Sequence, residues 1–238
     1  MSSSEGNAKN SLIQLGYAMQ DRGQRQCETL AKKLEDNFDL DALFQALDEA
    51  YQDEESTSIA TACRGLEYLC TDRERKIYKQ CMEMLQAEEN ESKSRLLSFF
   101  QAGIEHESSD ISSATLKLLS EWGKSSQQVA NTLATATGVV YSSLELLVEN
   151  DPEGDDFATT RCCYASSQLF RSLLGKSTKQ LEIMEQLLSK VSTPSSRIPE
   201  QDLRVYEVIL RAIGDGGLTE DMTDRSGSLQ KVLKFNRC

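Results

Sequence analysis

Four cationic side chains fall within seven residues of the segment Thr71–Leu85, although the whole chain has a formal net charge of −12. These cations are Arg73, Arg75, Lys76 and Lys79. With Asp72 as the N-cap of a helix, they lie on one charged stripe opposite the apolar residues Ile77 and Cys81. Such a stripe predicts a contact with phosphate groups, either of anionic lipid headgroups or of an RNA backbone.

The same stripe has a second interpretation, a solvent-exposed face that is paired with Asp72, Glu74 and Glu83. Each cation near an anionic bilayer contributes on the order of 1 kcal/mol, so one stripe binds a membrane weakly. A polymer that presents many copies of the stripe binds firmly. Membrane binding through these residues therefore requires self-association.

A second basic element lies in the C-terminal tail, where no acidic residue follows Asp224. Its cations are Arg225, Lys231, Lys234 and Arg237. The string "LQKVLKF" is also amphipathic, because its apolar residues alternate with the two lysines at helical spacing. We expect this string to form either a surface or partner-binding helix or a packed terminal helix.

Two Gly-Lys-Ser strings, beginning at Gly123 and Gly175, suggest a phosphate-binding loop. That loop also needs a glycine five residues earlier, where this chain has Leu118 and Phe170. Each string is better interpreted as a helix that ends at Gly, followed by a helix that Ser caps. No nucleotide site is therefore expected.

Groups for catalysis or metal binding are sparse. His106 is the single histidine, which excludes two-histidine metal sites, and its surroundings predict a loop. The seven cysteines include no C-x-x-C pair, so we expect reduced thiols, mostly in the core, and no structural zinc. The acidic string "DPEGDD" lacks the ligand spacing of an EF-hand. We expect no enzyme activity, no cofactor, no metal and no small-molecule substrate.

The elements that would position these residues are helices. Only three prolines occur, none of them before Pro152, and apolar residues recur at helical spacing along the chain. Asp39 is a predicted N-cap, and the Ala- and Thr-rich run from Ser125 predicts one long, buried central helix. We expect an all-α fold of about eleven or twelve helices. No membrane span or secretory signal is visible.

The domain organisation follows from an acidic Pro/Gly segment. We expect a larger N-terminal helical bundle domain (1–150), an acidic linker (151–156) and a smaller C-terminal helical domain (157–238). Residues 1–150 carry 25 acidic and 14 basic side chains, whereas residues 157–238 carry 9 acidic and 12 basic ones. This asymmetry favours head-to-tail association of copies, with the acidic part of one meeting the basic part of the next.

Several strings resemble the orthomyxovirus matrix protein family. "LAKKLEDNF–DLDALFQAL" is similar to that family's early helix pair, in which a Leu-Glu-Asp-x-Phe helix end precedes Asp-Leu-x-Ala-Leu. "CTDRERKIYKQCMEML" follows where the family has its arginine-rich helix, and the run from Ser112 to Val140 has the rhythm of the family's central helices. The resemblance covers residues 25–145 and is that of a distant, non-influenza member.

The resemblance implies a non-enzymatic structural protein that polymerises beneath a viral envelope. Such a protein is located in the virion, in the host cytoplasm and nucleus and at the inner face of the plasma membrane. It contacts the anionic inner leaflet and viral ribonucleoprotein during assembly and budding. Influenza-type matrix proteins are basic, so in this acidic chain membrane attraction would depend on focused patches.

A different class of function fits the same sequence. A cytosolic α-helical adaptor, or protein-interaction scaffold, binds peptides or partner helices in a groove between its own helices. Self-association and binding to anionic vesicles distinguish the matrix hypothesis from this one.

Overall fold

The computed structural model describes residues 5–21, 23–52, 56–148, 156–191 and 200–214. Within these ranges the chain forms twelve α-helices and no strand, which confirms the predicted all-α fold. The helices are α1 (Glu5–Gln20), α2 (Gln24–Asn37), α3 (Leu40–Gln52), α4 (Ser56–Thr71), α5 (Lys76–Gln86), α6 (Glu91–Ile104), α7 (Ser109–Gly123), α8 (Gln127–Thr135), α9 (Thr137–Val148), α10 (Asp156–Lys176), α11 (Gln180–Ser189) and α12 (Glu200–Gly214). None of the described helices combines the length and apolar character that crossing a bilayer requires.

The helices group into two compact units, Met1–Leu118 and Leu119–Cys238. This division differs from the predicted domains 1–150 and 157–238, because α8 packs against α10, and α9 packs against α10 and α12. The apolar faces of α8 and α9 are buried in the second unit, which the local acidic signal in the sequence did not reveal. Of the predicted linker 151–156, all but Asp156, where α10 begins, lies outside the described residues.

The first unit is organised by a close crossing of α1 and α4. A Cβ atom placed on Gly16 would lie 2.0 Å from the carbonyl oxygen of Thr61, and one on Gly65 would lie 2.3 Å from that of Leu12. Real side chains do not tolerate such distances. Glycine at both positions therefore lets the two backbones touch, and leucines around the crossing are fully buried.

The second unit is built around α10, which packs against α8, α9, α11 and α12. Trp122 and Phe170 are completely buried. Asn131 of α8 accepts hydrogen bonds from the Ser177 hydroxyl (2.7 Å) and the Thr178 amide (2.8 Å), and so ties α8 to the turn after α10.

Some predicted helix ends are confirmed and others are wrong. Asp39 Oδ1 accepts from the Ala42 amide (2.8 Å) at the start of α3, as predicted for an N-cap. At the first Gly-Lys-Ser string, α7 ends at Gly123, and the Ser126 hydroxyl caps α8 by accepting from the Val129 amide. The single central helix is wrong, because Ala136 has a non-helical ψ of 86° and separates α8 from α9. Just before the break, Thr135 donates its hydroxyl to the Asn131 and Thr132 carbonyls, a bond that bends helices.

Candidate functional site

The segment that holds the predicted basic stripe is a turn followed by a helix. Because α5 begins at Lys76, Arg73 and Arg75 precede it, and the predicted Asp72 N-cap is wrong. Asp72 shapes the turn instead: its Oδ1 accepts from the Glu74 amide (3.0 Å) and its carbonyl accepts from the Arg75 amide (3.1 Å). The four cations therefore do not share one helical face.

Arg75 is buried, with only 7% of its surface exposed. Its Nη2 donates to Glu28 Oε2 (2.8 Å), and its Nη1 donates to Glu35 Oε2 (3.4 Å). Its Nε lies 3.6 Å from Asp72 Oδ2, too far for a hydrogen bond but close enough for an ion pair. Arg75 is thus buried and held by carboxylates, which gives it a structural role, and its contact with membrane or RNA phosphate stays a prediction.

Two further contacts complete this Arg75 cluster, which consists of Glu28, Glu35, Tyr68, Asp72 and Arg75. The guanidinium lies over the Tyr68 ring, 5.0 Å from its centroid, a cation–π arrangement. Glu35 Oε1 accepts from the Ile77 amide (3.3 Å), one of the N–H groups that a helix start leaves unsatisfied. A carboxylate of α2 thus caps α5, and the cluster joins α2, α4 and α5.

The electrostatics of the cluster follow from these contacts. Burial raises the pKa of Tyr68 to about 12, and the hydrogen bond that its hydroxyl donates to Glu28 (2.6 Å) adds to the effect. That same hydrogen bond, together with the one from Arg75, lowers the pKa of Glu28. Burial opposes the charge on Arg75, but Glu28 and Glu35 outweigh it and raise the Arg75 pKa.

The other three predicted cations are exposed. Lys79 Nζ lies 3.4 Å from Glu74 Oε2, a solvent-exposed pair of the kind that adds little stability. Arg73 and Lys76 have no ion pair within the ranges that the structure describes. Lys76 borders a shallow depression of about 460 Å³ whose lining has one more carboxylate than cations: Glu28, Thr29, Lys32, Glu35, Asp72, Glu74, Arg75 and Lys76.

The remaining predicted positions are the basic tail, His106 and the cysteines. The basic tail, with Arg225, Lys231, Lys234 and Arg237, lies outside the described residues. The ring Nδ1 of His106 accepts from the Ser108 amide (2.9 Å) and its carbonyl accepts from the Ser112 hydroxyl, so it shapes the turn between α6 and α7. All six described cysteines are buried, in agreement with a core role. In the described part of the chain no group of three or more metal-binding side chains comes together.

The structure also contains a groove that sequence reasoning did not identify, and we call it the aromatic groove. It has a volume of about 400 Å³ and runs between α3, α5 and α6. Its apolar lining is Phe44, Met84, Leu96 and Phe99, and its polar lining is Asp41, Glu91, Ser92, Arg95 and Ser98. An apolar floor with charged residues at its border is typical of sites that bind the apolar face of a helix.

Three phenylalanines support the floor of this groove. The Phe44 and Phe99 rings are 5.2 Å apart at 62°, and the Phe99 and Phe100 rings are 5.4 Å apart at 75°. Phe100 is buried, whereas Phe99 is only partly covered and turns toward the groove. The adjacent aromatic pair "FF" is the sequence signal that was missed, because consecutive helical residues cannot both face the same core.

Comparisons with known proteins place the chain in no family. No family model matches the chain, and no curated protein matches it. Among solved structures, the chain is similar to the crystal structure of an engineered protein at 12% sequence identity and a TM-score of 0.46, with 94% of this chain and 93% of the other covered.

Proposed function

We propose that this chain is a non-enzymatic helical scaffold that binds an apolar helical segment in the aromatic groove. The observation that carries the proposal is the partly covered Phe99, held edge-on against Phe44 and Phe100 in the floor of a groove that apolar and polar side chains line together. Packed aromatic side chains that are fixed before binding lose little entropy when a partner covers them. Asp41 and Glu91 at the border favour a partner that carries cations beside its apolar face.

A binding measurement on the full chain tests this proposal. The probe is a fluorescent Leu/Lys peptide of about four helical turns, with leucines at helical i, i+3, i+4 spacing. We expect saturable binding by fluorescence anisotropy, weakened at least tenfold by Phe99→Glu. Tyr17→Glu is the matched control, because Tyr17 is an exposed aromatic residue of the same unit and is not in the groove lining. Equal affinity of the two variants would refute the proposal.

A second candidate function is the matrix-like one, a self-polymerising protein beneath a viral envelope that contacts anionic membrane and ribonucleoprotein. It is supported by the exposure of Arg73 and Lys76, which have no ion pair among the described residues. The ion pairs of Arg75 and the pairing of Lys79 with Glu74 count against it, because they neutralise half of the predicted stripe.

Flotation with phosphatidylserine vesicles tests this second candidate. The informative variant is Arg73→Glu with Lys76→Glu, which leaves the structural Arg75 in place. The control is Lys33→Glu with Lys117→Glu, which changes two exposed lysines elsewhere in the same unit by the same charge. Flotation that only the first variant abolishes would support the candidate. No flotation of the unchanged protein would eliminate direct membrane binding.

A further inference from the structure

We propose that the aromatic groove is occupied by the segment 229–235 ("LQKVLKF") of a second copy of this chain. The inference rests on the proposed function, since it names the partner of the same groove. It is carried by three observations: the chemistry of the groove, the chemistry of the segment, and the length of chain between α12 and the segment.

The groove provides an apolar floor between two acidic positions. Asp41 lies in the first turn of α3, and Glu91 lies in the first turn of α6. The turn before α6 adds exposed Glu88 and Glu89, although Glu89 Oε2 pairs with the Nζ of Lys93 in α6 (3.4 Å), which also donates to the Ala87 carbonyl (3.1 Å). Arg95 is the single cation of the groove lining, so the border keeps a negative excess.

The segment has the complementary chemistry. Leu229, Val232 and Leu233 stand at i, i+3 and i+4, the spacing that places apolar side chains on one helical face, and Phe235 supplies an aromatic ring. Lys231 and Lys234 lie between them, and no acidic residue follows Asp224. Apolar groups can therefore cover Phe99, while the two lysines, which at helical spacing lie on the opposite face, give the segment a positive charge that complements the negative excess of the groove.

The connection is long enough for exchange between copies. α12 ends at Gly214, and residues 215–228 separate it from the segment. Fourteen residues span at most about 50 Å when extended, which exceeds the radius of a compact domain of this size. Because each copy carries one groove and one segment, the contact is head-to-tail and generates open chains of molecules unless it closes into a ring.

The first test measures self-association of the full chain by sedimentation velocity over a concentration series. A reducing buffer keeps Cys238 from cross-linking copies. We expect the mass to rise with concentration, and the dissociation constant to increase at least a hundredfold in Leu233→Glu/Phe235→Glu, because two buried apolar contacts are lost. A monomer at every concentration overturns the inference, including the case in which a copy covers its own groove.

Charge reversal keeps the test valid if a groove variant fails to fold. Lys231→Glu/Lys234→Glu, and separately Asp41→Lys/Glu91→Lys, should each weaken association about tenfold, because the attraction between a positive segment and a negative groove becomes repulsion. Combining the four substitutions in one chain should restore association, because every segment and every groove is then reversed. Failure of the combined variant to associate would overturn the assignment of segment to groove.

The Leu/Lys probe separates the inference from the proposed function. If the probe binds in a Phe99-dependent manner while the unchanged chain stays monomeric, the proposed function stands and the occupant is not a second copy of this chain. If the chain associates but Phe99→Glu does not weaken association, a different surface holds the copies together. If neither probe binding nor association occurs, both proposals fail.

Discussion

The burial of Arg75 predicts that Arg75→Ala destabilises the first unit by about 3 kcal/mol. The substitution removes a charged hydrogen bond to Glu28 of 2.8 Å and a weaker one to Glu35 of 3.4 Å. Breaking a buried ion pair by removing one partner costs roughly 3–5 kcal/mol. The lower end applies here, because Glu28 keeps 56% of its side chain exposed and can be solvated.

Glu35 supplies the larger part of this cost. It is only 14% exposed, so without Arg75 its charge stays poorly solvated beside the start of α5. The residual bond that Glu35 accepts from the Ile77 amide compensates in part. The cation–π contact with Tyr68 adds about 0.5–1 kcal/mol that is also lost.

Urea unfolding followed by circular dichroism measures the effect. Arg73→Ala is the control, because Arg73 lies in the same turn, carries the same charge and is exposed. We expect it to change the free energy of unfolding by less than about 0.5 kcal/mol. If the two alanine variants unfold at the same urea concentration, the ion pairs of Arg75 do not stabilise the fold, and our interpretation of the cluster is wrong.

Three further predictions concern packing and pH. Gly65→Ala should lower the free energy of unfolding, measured with urea, by more than about 3 kcal/mol, because its Cβ would meet the Leu12 carbonyl. Gly175→Ala, with open space around it, should be neutral or slightly stabilising. Similar effects of the two substitutions would contradict the close crossing of α1 and α4. Because the Tyr68 pKa is raised, the neutral phenol contributes on the order of 2 kcal/mol of stability below about pH 10, and this contribution is lost as the pH rises toward 12. In Tyr68→Phe the free energy of unfolding should decline less over that range. A parallel decline in the two proteins would refute the raised pKa of Tyr68. Because the Glu28 pKa is lowered in the folded state, ionised Glu28 stabilises the fold above pH 4.5, and this stabilisation is lost as the pH falls below that value. Acid unfolding of Glu28→Gln should therefore depend less steeply on pH. An unchanged acid transition would argue against the pairing of Glu28 with Tyr68 and Arg75.

Local signals in the sequence predicted that the chain is helical, but not where every helix begins and ends. Periodic apolar residues and the scarcity of proline predicted the all-α fold, and Asp39 was identified as a cap because a cap bonds to its own next turn. The start of α5 was not found, because the acceptor at its first turn is Glu35, which lies 42 residues before Ile77. No local pattern reports an acceptor that the fold brings from another helix.

The candidate site shows the same limit. From its residue type alone, Arg75 is expected at the surface. It is buried because it pairs with Glu28 and Glu35, which lie 47 and 40 residues earlier. The aromatic groove likewise requires α3 and α6 to meet, which a single helix pattern does not specify. The available signals were indirect: two glutamates two turns apart on α2, and two adjacent phenylalanines on α6.

The α1–α4 crossing has a consequence for how descendants of this fold are to be traced. Positions 16 and 65 have no room for a side chain, and a methyl group at either position forces the axes of α1 and α4 apart. We expect substitutions to accumulate at surface positions while both glycines are retained. A pairwise signature of two glycines on the first and fourth helices, tested against candidate chains, would therefore detect kinship that whole-length alignment overlooks.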